Sequence, residues 1–502
     1  MQNGAEKSKT NSMKSSLSFA AILFTICFFR ADIYAQQLFK TDSLSIASDK
    51  TTSFAVKGTN GVMLLIKGDS KLHILFYDTS FRMKLHMDKD VNEKLGTNEL
   101  IGAVQTGNTL TILLSDTKQK NFTTILVDVY SHQFLPAYDF ILDKSGYLNY
   151  FERNGKLNVL TIKNESSLFS IITFDSTGRR AVMDFDLSEE KFNGDKAVDF
   201  SYLLEDENQS MYTHRHRLDK INTGEYISDI TSRYFAKMYT AGDELFITIN
   251  WRTGLHRTQV IRLDLKYGHH KYYNIPYPGS PEDEYKISQV CSFLLGHKLY
   301  TAFTNDKNLE VGIYDLDSCQ YIRHWGPDQR SLDSIISSPF IDENLKKGKT
   351  DTIKTLRKFL GKSFDLSISA NQNGNGDIDI FIGEALDNSG GGGGGMMMGA
   401  PMGGMGAAMA PMMFYMPGIP FSKKGKPEVE KHRFFWCTID STSHLKSSPS
   451  ARLSAFRQYE EKYYDLISLD SDDDITTLNY GSVFYLGSYY PAQSIYLFRR
   501  YK

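Results

Sequence analysis

The feature that most constrains the fold of this chain is a short apolar run ending in aspartate, which recurs at a nearly regular interval. Between its first six copies, the successive intervals are 50, 47, 44, 45 and 51 residues. In four of these copies a glycine precedes the aspartate by 19 to 22 residues, so two independent marks recur with a nearly constant offset. The aspartates are Asp78, Asp128, Asp175, Asp219, Asp264, Asp315 and, after a longer interval, Asp440.

Together, the two marks predict an antiparallel unit of four strands. Glycine supplies the positive φ of a tight hairpin turn, and the aspartate carboxylate can accept a hydrogen bond from the backbone two residues on. In the second unit we predict strands at about 99–106, 109–116, 121–130 and 133–141. Four strands over ~40–50 residues is the size of one β-propeller blade. The Asp219 copy lacks a well-placed glycine and is the weakest unit.

The two chain ends predict how such a ring would close. The C-terminal run Ile495 to Phe498 resembles an eighth unit that ends after its third strand, and Leu38 to Ala47 is a spare strand. Pairing these two segments would leave no open sheet edge. We therefore expect an all-β protein over residues 36–502, a single β-propeller of eight four-stranded blades, with seven blades as the alternative.

The first 35 residues have the composition of a secretory signal. Lys7, Lys9 and Lys14 precede an uncharged, mostly apolar run from Ser15 to Phe29, and the small residue Ala35 follows. This run of 15 residues is shorter than the ~20 residues of a membrane-spanning helix. We expect residues 1–35 to be a signal peptide, although an uncleaved anchor is the alternative. The protein would then be exported to the periplasm, the outer surface or the medium.

Charge and cysteine content narrow the possible partners and the sources of stability. Residues 36–502 contain 53 basic and 57 acidic side chains, a net charge of −4, so no nucleic-acid partner is expected. Their three cysteines are an odd number and cannot all pair. Cys291 and Cys319 would lie two strands apart in one blade, farther than the ~7 Å Cα separation that a disulfide tolerates. We predict free thiols.

Three insertions interrupt the repeat, at 328–362, 386–430 and 447–466. The first and third have helix-like patterns and would link successive units, whereas the second would split the seventh unit between its second and third strands. In a four-stranded blade, such connections emerge on one face of the ring. We therefore expect the last three blades to carry a binding face there, since long loops in compact domains are often functional. The alternative is that this face simply tolerates insertions.

The second insertion contains six consecutive glycines, Gly390 to Gly395, followed by a run rich in methionine. Three interpretations are open: a low-complexity loop, an adaptable apolar surface that contacts a partner or a membrane, or a thioether site for Cu(I). No cysteine or histidine lies within the run to complete a copper site. The candidate partner-binding residues are Met402, Met405, Met409, Met412, Met413 and Met416.

A second candidate site lies just before this insertion, where oxygen-bearing side chains occupy positions 1, 3, 5 and 9 of a loop with glycine at position 6. The pattern resembles the calcium loop of FG-GAP repeats in integrin-type propellers, over this one loop only. That family has aspartate at the first and fifth positions, where this chain has asparagine, and losing two carboxylates weakens a Ca²⁺ site. The alternative is an ordinary hairpin turn. The ligands that the resemblance implies are Asn371, Asn373, Asn375 and Asp379.

No sequence motif assigns an enzymatic activity. A nucleophile elbow, a phosphate-binding loop and a zinc-binding helix motif are all absent from the sequence, and the catalytic residues, if any, are unknown. His214 and His216 would share one strand face but lack an identifiable third ligand. We expect a non-enzymatic exported propeller that binds an envelope protein or a glycan as a scaffold. The alternatives are a glycan-active enzyme (hydrolase or lyase) and a metal-handling protein that uses the methionine-rich segment.

Overall fold

The computed structural model describes most of the chain between residues 38 and 501, and most of these residues are in strands. The predicted signal segment, residues 1–35, lies outside the described part. No described helix is long and apolar enough to cross a membrane. The described ranges are 38–40, 52–58, 61–68, 70–91, 99–175, 177–190, 199–204, 218–221, 235–250, 257–279, 284, 286–305, 307–326, 336, 338–344, 349–360, 366–372, 376–387, 429–440, 443–444, 475–480, 483–490 and 495–501.

The strands form a series of mainly antiparallel sheets that follow the chain order, and β1 (Leu38–Lys40) belongs to the last of them. The first sheet contains β2 (Thr52–Gly58), β3 (Gly61–Lys67), β4 (Lys71–Asp78) and β5 (Met83–Asp90). The second contains β6 (Glu99–Thr106), β7 (Thr109–Ser115), β8 (Asn121–Asp128), β9 (Gln133–Phe134) and β10 (Tyr138–Ile141). The third contains β11 (Ser145–Arg153), β12 (Lys156–Lys163), β13 (Leu168–Phe174) and β14 (Arg180–Asp186).

A short helix at Phe200–Leu203 follows the third sheet. The fourth sheet contains β15 (Asp219–Ile221), β16 (Ala236–Ala241), β17 (Glu244–Asn250), β18 (Thr258–Asp264) and β19 (His269–Ile275). The fifth contains β20 (Gln289–Leu295), β21 (Lys298–Thr304), β22 (Leu309–Asp315) and β23 (Gln320–Trp325). The sixth contains β24 (Phe340–Asn344), β25 (Lys349–Ile353), β26 (Leu366–Gln372), β27 (Ile378–Asp387) and β28 (Val429–Ile439), with a helix at Leu356–Leu360 before β26.

The last sheet joins the two ends of the chain. Its order is β1, β31 (Ile495–Tyr501), β30 (Val483–Tyr490) and β29 (Ile475–Tyr480). Strand β1 pairs antiparallel with β31, with Phe39 opposite Phe498. The predicted pairing of the chain ends is thus present, and the N-terminal strand takes the fourth place in a sheet whose other three strands are C-terminal.

Apolar clusters between neighbouring sheets show how the sheets are arranged. One cluster joins the first and second sheets, others join the second to the third and the third to the fourth, and a larger one spans the fourth, fifth and sixth. A further cluster joins the first sheet to the last, through residues such as Leu75 and Phe498. The first sheet is therefore packed on both faces, by the second sheet and by the last. Sheets that stack face to face in chain order from the first to the sixth, with the last sheet packed against the first, form a β-propeller, as the sequence predicted.

The turns have the hydrogen bonds that the sequence predicted. Glycine has positive φ in the hairpins at Gly107, Gly155, Gly242, Gly296 and Gly376. The carboxylates at the ends of the third strands accept backbone N–H groups from the turns that follow, at 2.8 to 3.3 Å. The acceptors are Asp78, Asp128, Asp175, Asp264, Asp315 and, in the sixth sheet, Asp440.

Two parts of the sequence interpretation differ from the described structure. The described residues form seven sheets, and the described part of the Asp219 unit does not form a separate one. Asp219 instead begins β15, which pairs in parallel with β16 at the edge of the fourth sheet. The described ranges hold seven sheets, and the number of blades, eight or the alternative seven, stays a prediction.

The first insertion, 328–362, was expected to be helix-like but is partly strand. Its hairpin β24–β25 joins the sixth sheet, because β24 pairs with β28. Within the described part of this insertion, helical structure is confined to Leu356–Leu360, and Ile353 ends a strand. The spacing of Ile353, Leu356 and Leu360 was misleading because Phe340, Phe359 and Phe435 form one aromatic cluster that holds the hairpin and the helix against the sheet.

The three cysteines are free, as predicted. Cys291 and Cys437 are buried and Cys319 is exposed.

Candidate functional site

The turns between second and third strands and the connections between sheets emerge on one face of the propeller, which we call the insertion face. In the fourth and fifth sheets, five described polar residues lie at this face. They come from the connections before β18 and β20 and from the corresponding ends of β22 and β23. We call them the insertion-face cluster: Arg257, Tyr277, Glu284, Glu310 and His324.

Glu310 is a buried carboxylate, with only 2% of its surface exposed. The Tyr277 hydroxyl donates a hydrogen bond to one of its oxygens, and Nε2 of His324 lies 2.9 Å from the other. Tyr277 also packs edge-on against the ring of Phe303. Because a buried carboxylate is costly unless it is hydrogen-bonded, these two partners fix both the position and the orientation of Glu310. The His324 side chain remains partly exposed.

Arg257 and Glu284 form a two-pronged ion pair on the same face. The Arg257 guanidinium donates from Nε at 2.5 Å and from Nη2 at 3.1 Å to the two oxygens of Glu284. Glu284 is buried and Arg257 is partly exposed. A bidentate pair of this kind fixes geometry more strictly than a single contact. It ties the connection that precedes β18 to the one that precedes β20.

A buried polar network lies beneath this part of the insertion face, between the fourth and fifth sheets. Asn250 accepts hydrogen bonds at its Oδ1 from the hydroxyls of Ser292, at 2.7 Å, and Thr258, at 3.1 Å. The ammonium group of Lys237, fully buried, donates to the backbone carbonyl of Ser292 and lies 3.8 Å from the Cys291 sulfur. Paired buried polar groups of this kind favour one geometry of the interface between the two sheets.

A second charged network lies on the opposite face, where the hairpins of the same two sheets turn. His297 bridges two carboxylates: its Nε2 is 2.8 Å from Glu244 and its Nδ1 is 2.8 Å from Asp317. Arg262 also pairs with Glu244. Partial burial opposes protonation of His297, but the hydrogen bonds to Asp317 and Glu244 outweigh burial and raise the pKa of the imidazole above its ordinary value. These ion pairs link the fourth sheet to the fifth.

The structure describes two of the four residues of the predicted calcium loop. Asn371 in β26 and Asp379 in β27 lie directly opposite each other, on either side of the turn at Gly376. Asp379 is buried and accepts a hydrogen bond from the Thr438 hydroxyl at 2.7 Å. Asn373 and Asn375 lie outside the described residues. The described part is an ordinary hairpin, and Ca²⁺ binding by this loop stays a prediction.

The other sequence candidates lie outside the described residues. These are the methionines between Met402 and Met416, the pair His214 and His216, and the third insertion. The insertion-face cluster could not be predicted from the sequence, because its members are separated by up to 67 residues and share no motif. One signal was present: Glu310 interrupts an otherwise apolar third strand, and a carboxylate in such a strand requires partners.

Comparisons with known proteins assign no function. No model of a protein family matches the sequence, and no curated protein is similar to it in sequence. In structure, the chain is similar to the β-propeller domain of Nup133 from Vanderwaltozyma polyspora, at 11% identity and a TM-score of 0.35, over 93% of this chain and 98% of that one.

Two further solved structures are similar at the same low level. A candidate exported protein from Bacteroides fragilis has 12% identity and a TM-score of 0.24, over 67% of this chain and 84% of that one. A quinohemoprotein alcohol dehydrogenase from Comamonas testosteroni has 12% identity and a TM-score of 0.32, over 91% of this chain and 68% of that one. The assignment of the fold here rests on the order and packing of the sheets.

Proposed function

We propose that this protein is an exported β-propeller that binds an envelope protein or a glycan through its insertion face. The observation that carries the proposal is the environment of Glu310. A carboxylate is held at the end of a rigid strand by Tyr277 and His324, and His324 is itself partly exposed. Polar groups that their neighbours already hold in place on rigid elements can bind a ligand with little further loss of conformational entropy.

The Arg257–Glu284 pair supports the same face as the binding surface. The pair holds a second hydrogen-bond donor, the Arg257 guanidinium, and a second acceptor, the Glu284 carboxylate, beside the connections between the sheets. The Arg257 side chain stays partly exposed. Arginine and tyrosine are the residue types that most often dominate binding energy at interfaces. We propose that the methionine-rich insertion, which joins β27 to β28 in the chain, extends this contact.

A binding experiment with matched variants tests the proposal. The mature protein would be screened against immobilised glycans and crosslinked in native envelope fractions, with His324→Ala, Arg257→Ala and a variant in which residues 388–421 are replaced by a short Gly-Ser link. The control is Tyr267→Ala, an exposed residue in a hairpin on the opposite face. We expect at least one insertion-face variant to lose binding about tenfold, which is the effect of one good contact, and Tyr267→Ala to bind normally.

Two results would count against the proposal. Binding that is lost in Tyr267→Ala but unchanged in every insertion-face variant would move the site to the other face. Release of reducing ends from a bound glycan would instead favour the alternative, a glycan-active enzyme, since Glu310 beside Tyr277 and His324 has the partners that an acid–base carboxylate needs.

A further inference from the structure

Two histidines and an aspartate converge on the outer half of the first sheet, away from the insertion-face cluster. His73 is in β4, and His86 and Asp88 are two residues apart in β5. His73 lies directly opposite Asp88, and His86 lies opposite Leu75. Because side chains alternate along a strand, all three point to the same face of the sheet.

The three potential ligand atoms lie close enough to share one ion. His73 Nδ1 is 2.7 Å from Asp88 Oδ1, His86 Nε2 is 2.8 Å from the same oxygen, and the two nitrogens are 3.3 Å apart. In a tetrahedral site with bonds of ~2.0–2.2 Å, ligand atoms are separated by roughly 3.3 Å. The arrangement therefore needs shifts of only about half an ångström to accommodate a metal ion at its centre.

The ligand types select the class of ion. Imidazole nitrogens with one carboxylate suit Zn²⁺ and similar divalent transition metals, whereas Ca²⁺ and Mg²⁺ prefer sites made of oxygen atoms. His73 is buried, and its position is set by the sheet, while His86 and Asp88 are exposed. An ion bound here would be anchored from within the sheet by His73 and reachable from solvent on the side of the other two ligands.

We propose that His73, His86 and Asp88 form a binding site for a divalent transition-metal ion, with Zn²⁺ as the best match. Three protein ligands leave a fourth position for water or for a donor group of another molecule. The alternative is that the Asp88 carboxylate simply accepts hydrogen bonds from both imidazoles. The two arrangements use the same atoms and differ in whether a metal replaces the shared protons.

Metal titration of the mature protein, produced without a histidine tag and stripped with a chelator, distinguishes them. Zn²⁺ binding would be measured by calorimetry, and Co²⁺ would be used as a spectroscopic probe, since its visible absorption reports the ligands around it. We expect one equivalent of Zn²⁺ to bind, and Asp88→Asn and His86→Gln each to weaken binding at least tenfold, as loss of a metal ligand does. Ca²⁺ should not compete.

The test leaves the buried His73 unchanged, so that its variants and control alter only exposed side chains. His269→Gln changes an exposed histidine in β19, which is an edge strand of the fourth sheet as β5 is of the first, and should leave Zn²⁺ affinity unchanged. Asp88 and His86 are exposed, so their variants should keep the fold, which circular dichroism would check. No Zn²⁺ binding by the parent protein, or binding that both variants retain at full affinity, would overturn the proposal.

Discussion

At the scale of single residues, the turn aspartates show why a repeat was visible in so divergent a sequence. Asp264 closes the third strand of its sheet and accepts hydrogen bonds from the N–H groups of Lys266 and Tyr267, and these bonds lower the pKa of its carboxyl, the Tyr267 bond most. The apolar residues before it can be exchanged for one another as long as they fill the core. The turn requires an acceptor at one position, so the aspartate recurs where the neighbouring residues do not.

His297 gives a residue-scale prediction about pH. Its pKa is raised in the folded state, so its contribution to stability is fully present below its unfolded pKa of about 6.5 and is lost as pH rises through the folded pKa. We expect His297→Gln to lower Tm more at pH 5.5 than at pH 8.5, by a difference on the order of 1–2 °C for this partly exposed group.

Thermal unfolding of the parent and His297→Gln at the two pH values measures this difference. The matched control is His269→Gln, which changes an exposed histidine in β19 of the fourth sheet. If His297→Gln lowered Tm equally at both pH values, or more at pH 8.5, the interactions with Glu244 and Asp317 would not depend on a charged imidazole.

At the scale of elements, the strands that follow the repeat could be predicted closely and the departures from it could not. The second sheet has strands at Glu99–Thr106, Thr109–Ser115 and Asn121–Asp128, within two residues of the sequence prediction. By contrast, β24 fills the fourth place of the sixth sheet although it precedes the other three core strands in the chain. A local sequence pattern cannot reveal that an earlier strand takes this place, because the pairing of β24 with β28 joins residues that are about 90 positions apart in the chain.

The hairpin β24–β25 therefore belongs to the core of its sheet, and Phe340 tests this. Its ring is 7% exposed and stacks on Phe359 at a centroid distance of 4.8 Å. We expect Phe340→Ala to lower the free energy of unfolding by about 3 kcal/mol, the cost of removing a buried aromatic ring. Thr350→Ala, an exposed position in β25, should change it by less than ~0.5 kcal/mol.

Chemical denaturation of the two variants measures both values. Equal stability of Phe340→Ala and the parent would show that the hairpin β24–β25 is not part of the core of its sheet. In that case the insertion 328–362 would again be expected to contribute to the insertion face, as the sequence predicts.

At the scale of the whole molecule, the candidate site was harder to predict than the ring. The repeat, the glycine turns and the spare N-terminal strand together indicated a closed β-propeller with its ends paired, and the described sheets agree. The insertion-face cluster depends on how two neighbouring sheets stack, since Tyr277 and Glu310 meet only after the connection before β20 folds over the fifth sheet. Stacking of this kind leaves no periodic mark in the sequence, so Glu310 could be suspected but its partners could not be named.

The closure of the ring by the two chain ends is the central claim, and a designed crosslink tests it most directly. Leu38 in β1 is the register partner of Arg499 in β31, and residues directly opposite in antiparallel strands have Cα separations that a disulfide can span. The pair Leu38→Cys and Arg499→Cys would be introduced together with Cys319→Ser, which removes the exposed native thiol. Peptide mapping of the oxidised monomer would then identify which cysteines are joined.

We predict an intramolecular disulfide between positions 38 and 499 that forms in the native protein and raises its Tm. As a control, Leu38→Cys combined with Arg153→Cys, a residue of the third sheet, should give no intramolecular link. If the 38–499 pair stayed reduced in the folded monomer, or linked only between molecules, the chain ends would not share a sheet and the closed propeller described here would be contradicted.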